Sequence, residues 1–260
     1  MPRLYVDTPL HDAQDLSLPA GPARHVQVLR LQPGDALSLF DGSGHEWPAT
    51  IARMGRNAVD VVLGQGEPVD RELPVAVTLA LAVPANDRMD WVVEKATELG
   101  VAAIQPLTCT RSVLRLSGER AQKRQAHWQG VAVAASEQCG RAKVPVVHPV
   151  RDFSAWVEDK SASGDFSLRA ILSLAPPQSG LVEVLRDSGV LEVNGGALRS
   201  LSVLSGPEGG FTEEEEAQAR AAGWRPVQLG PRVLRADTAP VTVMGVVGGV
   251  IDKSGSLSLS

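Results

Sequence analysis

The stretch LSGPEGGFTEEEEAQA, residues 204–219, places Gly206, Gly209 and Gly210 directly ahead of four consecutive glutamates, Glu213 to Glu216. Three glycines so close together indicate a backbone bent through unusual torsions or approached closely by something. Thr212 and Glu215 have capping-box spacing, and Glu213 and Glu214 in a first turn complement a helix dipole. A helix N-terminus ordinarily attracts anions through its free N–H groups. Carboxylates crowded into that turn oppose the attraction, so a phosphate is a poor occupant. The stretch has no GKT or GKS triplet and no GxGxxG after a strand, which weakens the P-loop and dinucleotide readings. A phosphate-free, positively charged ligand suits these surroundings, and S-adenosylmethionine, an adenosine joined to a sulfonium, is one. A well-capped helix after a turn would account for the glutamates alone but not for the glycines.

A second stretch, LGPRVLRADTAPVTVMGVVGGVI at 229–251, begins with a sharp turn at Gly230-Pro231. Arg232 and Arg235 follow, then Asp237 and Thr238 as helix-cap candidates and Pro240 where a first turn tolerates it. Gly245, Gly248 and Gly249 interrupt the apolar run, each costing up to ~1 kcal/mol relative to alanine inside a helix. Close packing against another backbone would offset that cost. The run is either a buried core element or a helix–helix contact, including one with another subunit. His11, His25, His45, His127 and His148 lack metal-ligand spacing, and Cys109 and Cys139 lack CxxC spacing. No metal is expected, and the thiols read as reduced.

The elements that must hold these stretches fall into two parts. The chain has 260 residues, 43% of them hydrophobic, enough for one or two domains. Residues 1–73 read as short strands between Gly, Pro and Asn turns: HVQVLRL, ALSLF, PATIARM and AVDVVLG, a small barrel or sandwich. A polar linker at 64–74 follows. From residue 74 the period changes. VAVTLALAV is a continuous apolar strand, and DRMDWVVEKATELG sets Met89, Val92, Val93, Ala96 and Leu99 on one helical face with Gly100 as its cap. Strands alternating with helices then indicate an α/β domain with a mostly parallel sheet covered on both faces. The final residues, 252–260, read as a polar, frayed tail.

Net charge is −5, mildly against a general nucleic-acid binder. The distribution is uneven. Lys and Arg outnumber Asp and Glu only in residues 74–150, 9 against 6, while residues 1–73 carry 6 against 10 and residues 151–260 carry 10 against 14. An RNA partner is allowed where the basic side chains cluster. No apolar stretch reaches the ~20 residues of a membrane helix, and the start lacks the pattern of a signal peptide, so no membrane association and a cytoplasmic location are expected.

LSGPEGGFTEEE followed by LGPRVLRADTA strongly resembles the RsmE family, the small-subunit ribosomal RNA uridine-N3 methyltransferases of the SPOUT class. RHVQVLRLQPGDALSLFDG, EKATELGVAAIQPLTCTRS (94–112) and ASEQCGR (135–141) extend the likeness over nearly the whole chain. The resemblance implies a PUA-like β-barrel over 1–73 that binds RNA. It also implies a SPOUT α/β domain over 74–260 with a deep trefoil knot, and a homodimer with active sites near the subunit interface. Its cofactor would be S-adenosylmethionine, leaving S-adenosylhomocysteine. Carried over, the cofactor loops are Leu204, Ser205, Gly206, Pro207, Glu208, Gly209 and Gly210, then Leu229, Gly230, Arg232, Val233 and Leu234, with Leu174 in a third loop. The implied substrate is a uridine of 16S ribosomal RNA near the decoding centre, on the assembled small subunit.

Methylating uridine N3 requires loss of the imide proton, and the resulting anion spreads over O2 and O4. A fixed guanidinium would stabilise that charge, and Arg235 stands beside a cofactor loop. Glu98 or Asp237 would accept the proton. Arg235 paired with Asp237, or anchoring a phosphate, is the alternative, as is Glu98 as a helix-end surface charge. Arg111 and Arg141 resemble positions facing RNA, and Arg24, His25 and Arg30 would add contacts from the barrel. The family usually reads R-T-E-T-A where this chain has Arg235-Ala236-Asp237-Thr238-Ala239, so a hydroxyl and one methylene are missing. That leaves two rivals open: a SPOUT enzyme acting on another RNA position such as a ribose 2′-OH, or a non-catalytic RNA-binding assembly protein.

Overall fold

The computed structural model describes residues 1–56, 58–85, 87–159, 168–176, 178–188 and 200–251, so the tail expected to fray lies outside the described residues. The chain divides into two compact units, Met1–Glu72 with Val133–Val144, and Leu73–Ala132 with Pro145–Ser260.

The first unit contains β1 (Arg3–Tyr5), β2 (Asp15–Ser17), α1 (Ala20–Val28), β3 (Ala36–Phe40), β4 (His45–Met54), β5 (Val59–Leu63) and β6 (Glu67–Pro68). The strands form one sheet in the order β1-β3-β4-β5-β2, with β6 on β4. Alternation places Trp47, Ala49 and Ile51 of β4 inward, where they meet Val59, Val61 and Leu63 of β5. A register shift between Ile51 and Arg53 bends this pair. Arg3 ties Val133–Val144 into the unit, because its Nη1 donates to the carbonyls of Ser136 (3.0 Å) and Glu137 (2.9 Å) while its Nε pairs with Glu46 at 3.0 Å.

The expected strand HVQVLRL is corrected: residues 25–28 are the C-terminal part of helix α1, and 29–31 follow it. Ala23 and Val26 are buried at i, i+3 spacing, whereas Val28 is 70% exposed. A strand would have buried Val26 and Val28 on one face; the observed period is helical. Pro19 precedes the helix as its cap and Pro22 lies in the first turn, where a missing N–H is harmless.

The second unit continues with β7 (Ala76–Ala82), α2 (Arg88–Glu98), β8 (Ala103–Thr108), α3 (Gly118–Cys139, which ends in the first unit), β9 (Val146–Val147), β10 (Arg151–Asp152) and α4 (Phe153–Glu158). It closes with β11 (Leu168–Leu172), β12 (Ser179–Gly180), α5 (Leu181–Asp187), β13 (Ser200–Ser205), α6 (Glu213–Ala221), β14 (Arg225–Gln228) and α7 (Thr238–Ile251). The sheet runs β10-β8-β7-β13-β11-β14-β12, with β9 on β8, and every described pairing is parallel. Burial on both faces explains the unbroken apolar run of β7. Against the sheet, Trp156 packs tilted against Trp224 with centroids 5.5 Å apart, and Phe153 meets Phe211 at 5.3 Å. These rings fix α4 and α6 beneath the glycine-rich loop. Since β13, β11 and β14 are neighbours and parallel, their carboxyl-end loops emerge at one edge, where open α/β sheets bind ligands.

Candidate functional site

Those loops enclose an open cleft of ≈ 940 Å³. Its walls are residues 172–176 at the end of β11, 205–213 after β13, and 227–230 and 232–236 around the end of β14, together with Arg88, Arg111, Glu216, Ala217, Arg220 and Ala239. Each loop is braced from below. Gly210 N–H donates to the Pro207 carbonyl at 2.8 Å, closing a turn that needs φ +69° at Gly210. A Cβ on Gly206 would lie 3.2 Å from the backbone nitrogen of Phe211, and one on Gly209 would lie 3.3 Å from Cβ of Arg111. Gly210 is thus favoured by its backbone torsion, and Gly206 and Gly209 sit where an added Cβ would be tight. Glu208 accepts from the Ala85 N–H at 2.9 Å, fastening the same loop to the segment after β7.

The four glutamates divide their work. Glu215 completes the capping box with Thr212 and, although 6% exposed, also accepts the Thr110 N–H at 2.8 Å. Glu216 accepts the buried Ser173 hydroxyl at 2.8 Å and pairs with Arg220 at 3.3 Å, holding the loop after β11 to α6. Glu213 lines the cleft. Glu214 is held below the usual carboxylate range, chiefly by its own backbone N–H and by Thr212, with Arg111 adding to the effect. Of the four, Glu213 and Glu216 line the cleft, beside Arg88, Arg111, Arg220, Arg232 and Arg235.

The structure places the expected residues unequally. Leu174, Ser205, Gly206, Pro207, Glu208, Gly209, Gly210, Leu229, Gly230, Arg232, Val233, Leu234 and Arg235 all line the cleft. Leu204 does not: it is fully buried and packs in the core beneath. Asp237 stands just behind the lining, its Oδ2 3.7 Å from Arg88 Nε rather than paired with Arg235. Glu98 lies outside the lining, where Lys95 holds its carboxylate at 2.9 Å. Arg111 faces the cleft, but its Nη1 donates to the carbonyls of Gly209 (2.9 Å) and Phe211 (3.2 Å), which makes it a brace. Arg141 is corrected from an RNA-facing position: it is 3% exposed and forks onto Glu72. Arg24 and Arg30 are exposed on and after α1, and His25 Nδ1 lies 3.8 Å from Glu137 Oε2. Sequence reasoning missed Arg88, Ser173 and Arg220, none of which belongs to a glycine motif.

Cys109 sits beneath the cleft, its N–H donating to the Ser112 hydroxyl at 2.9 Å. Burial, and then the charges of Glu215 and Asp152, push its thiol far above the ordinary range. The thiolate is the reactive form. A thiol reagent on the folded protein is expected to label Cys139 and to reach Cys109 only in denaturant, as peptide mapping would show. Equal labelling of both would contradict this burial.

Among the described residues no three His, Cys, Asp or Glu side chains converge on a metal site, and no helix is long and apolar enough to cross a membrane. Residues 71–248 match the family model of an RNA methyltransferase domain, and residues 23–64 that of an RNA methyltransferase PUA domain. A Synechocystis protein named ribosomal RNA small subunit methyltransferase E is 32% identical over 226 residues, 87% of this chain and 70% of that protein. The Bacillus subtilis protein of the same name is 28% identical over 92% of this chain and 91% of its own. Among solved structures, the Neisseria gonorrhoeae ribosomal RNA small subunit methyltransferase E, bound to S-adenosyl methionine, superposes with TM-score 0.83 at 35% identity, covering 95% of this chain and 97% of that one. A Legionella pneumophila methyltransferase in complex with SAM reaches TM-score 0.85 at 32% identity, over 95% and 96%.

Proposed function

The chain belongs to the RNA methyltransferase family, among the small-subunit methyltransferases E, and from that premise we propose that it methylates N3 of one uridine of 16S ribosomal RNA. The methyl donor is S-adenosylmethionine and the substrate is the assembled small subunit near its decoding centre. One observation carries the reading. Three loops at the carboxyl ends of adjacent parallel strands form a single cleft with an arginine, Arg235, at its wall. Relatives of the same shape hold this cofactor.

The residues present fit the group. Leu172, Leu174, Pro207, Leu229 and Val233 offer apolar surface for an adenine, and the backbone of 205–210 and 229–234 offers donors and acceptors. Glu213 suits a cationic ligand. When bound, S-adenosylmethionine supplies an electrophilic methyl on a sulfonium. The protein's own part is to manage the uridine's charge. Arg235 stabilises the anion that spreads over O2 and O4 as the N3 proton leaves. Asp237 accepts that proton, oriented by Arg88. Glu98 is left out of this scheme because Lys95 holds it away from the cleft lining. Arg24, His25 and Arg30 add RNA contacts from a PUA-like domain over 1–73. The SPOUT domain over 74–260, with its knot, forms a homodimer through the glycine-bearing α7.

The test is methylation of small subunits that lack the modification, followed by nucleoside mass spectrometry. N3-methyluridine is expected. A 2′-O-methyl product would keep the cofactor and replace the substrate chemistry. Absence of transfer with cofactor still bound would overturn the enzymatic reading.

A further inference from the structure

We infer that a ribbon of cations leading from the cleft along the first half of α3 is the track for the phosphate backbone of the RNA substrate; this rests on the RNA methyltransferase reading above. Residues 109–132 hold Arg111, Arg115, Arg120, Lys123 and Arg124 against a single acid, Glu119, in a chain whose net charge is −5. The excess is spatial as well as sequential. Arg120, Lys123, Arg124 and His127 follow i, i+3, i+4, i+7 spacing, which sets them on one helical face. Farther along the helix Trp128 and Ala132 are buried. Lys123 is 82% exposed and His127 50%. The four line a shallow surface groove with Glu119.

One end of this ribbon meets the cleft, and the other reaches the start of α2. At one end Arg111 lines the cleft, and Arg115 Nη2 donates to the Thr110 carbonyl at 3.4 Å. At the other, Arg124 Nη1 lies 3.8 Å from Asp87 and His127 Nε2 2.7 Å from Asp90, at the start of α2, whose first residue Arg88 lines the cleft. Glu119, Asp87 and Asp90 temper Lys123, Arg124 and His127, Lys123 Nζ lying 3.8 Å from Glu119 Oε2, so Arg120 is the group offered most fully to a polyanion. A strand with its reacting nucleotide in the cleft must leave it across a neighbouring surface, and Arg111 at the cleft opens onto the cationic run that continues through Arg115 and Arg120. Along residues 109–132 lysines and arginines outnumber acids five to one. Phosphate neutralisation by such side chains is salt-dependent through counterion release.

The experiment is fluorescence anisotropy of a labelled small-subunit ribosomal RNA fragment on the full chain, from roughly 50 to 200 mM salt. The double variant Arg120→Gln/Lys123→Gln should weaken binding about tenfold at the low-salt end and lower the salt slope by about 1.5, two contacts at roughly 0.7–0.9 each. Its S-adenosylmethionine affinity should stay that of wild type. Glu119→Gln, which removes the one acid, should tighten RNA binding. Unchanged affinity and slope in the double variant overturn the track, as does a defect seen only on phosphatidylserine vesicles. Wild-type protein that binds the RNA but never methylates small subunits sinks the enzymatic reading alone, and the slope still judges the track. Wild-type protein that binds no RNA at any salt sinks the track.

Discussion

Arg235→Ala is expected to cut methyl transfer by about 10²–10³-fold in kcat, the cost of losing one donor aimed at developing charge. Cofactor affinity should remain within about twofold. The argument begins with the backbone. The Arg235 carbonyl accepts the Ala239 N–H at 3.0 Å at the entry to α7, a contact the substitution leaves intact. The side chain lines the cleft, and the nearby carboxylate of Asp237 is taken up by Arg88. The guanidinium is therefore available to a substrate rather than spent on the neighbouring acid. Single-turnover methylation with small subunits, beside calorimetric titration of S-adenosylmethionine, separates chemistry from binding. If Arg235 instead anchors a phosphate, the loss falls on KM for RNA and on the salt slope, and saturating RNA restores turnover. Arg235→Lys should recover only part of the rate, because an ammonium lacks the planar fork that spans two sites of charge. Turnover within about threefold of wild type in the alanine variant would remove Arg235 from the chemistry.

The glycine loops were legible because local rules govern them: a turn needing positive φ at Gly210, a capping box written as Thr212 and Glu215, and strands whose carboxyl ends must be loops. What was not legible depends on distance. Ser173 meets Glu216 across 43 residues, and Arg88 meets Asp237 across far more of the chain, so no spacing announces either pair. The error at HVQVLRL has a different source. Val26 and Val28, between His25, Gln27 and the Leu29–Leu31 pair, fit a period of two over a short window, and the helical period shows only once Pro19, Pro22 and Ala23 are read with them. Leu204 was assigned to the cofactor loop with its neighbours, yet in β13 it alternates with Ser205 and faces the core.

Arg141 shows the same limit with a measurable consequence. In sequence it is an arginine in a basic third of the chain, beside a motif shared with RNA enzymes. In the structure its Nε donates to Glu72 at 3.0 Å, its Nη2 reaches the second carboxylate oxygen, and the side chain is closed off from solvent. Arg3 Nη2 adds a bond to its carbonyl at 3.3 Å, so the pair helps fasten 133–144 to the first unit. Removing one partner of a buried pair costs roughly 3–5 kcal/mol, because the remaining charge stays buried. Arg141→Ala should therefore lower the thermal midpoint by roughly 10 °C, at about 2–4 °C per kcal/mol for a chain of this size. The apolar double variant Arg141→Met/Glu72→Leu should recover most of that loss, since well-packed hydrophobic replacements of such pairs are often neutral. The salt slope of RNA binding should not change in either variant, measured well below the unfolding transition. An arginine that touches RNA gives the opposite result, a lowered slope with an unchanged midpoint. Calorimetry and the slope together decide whether this cation belongs to the fold or to the substrate.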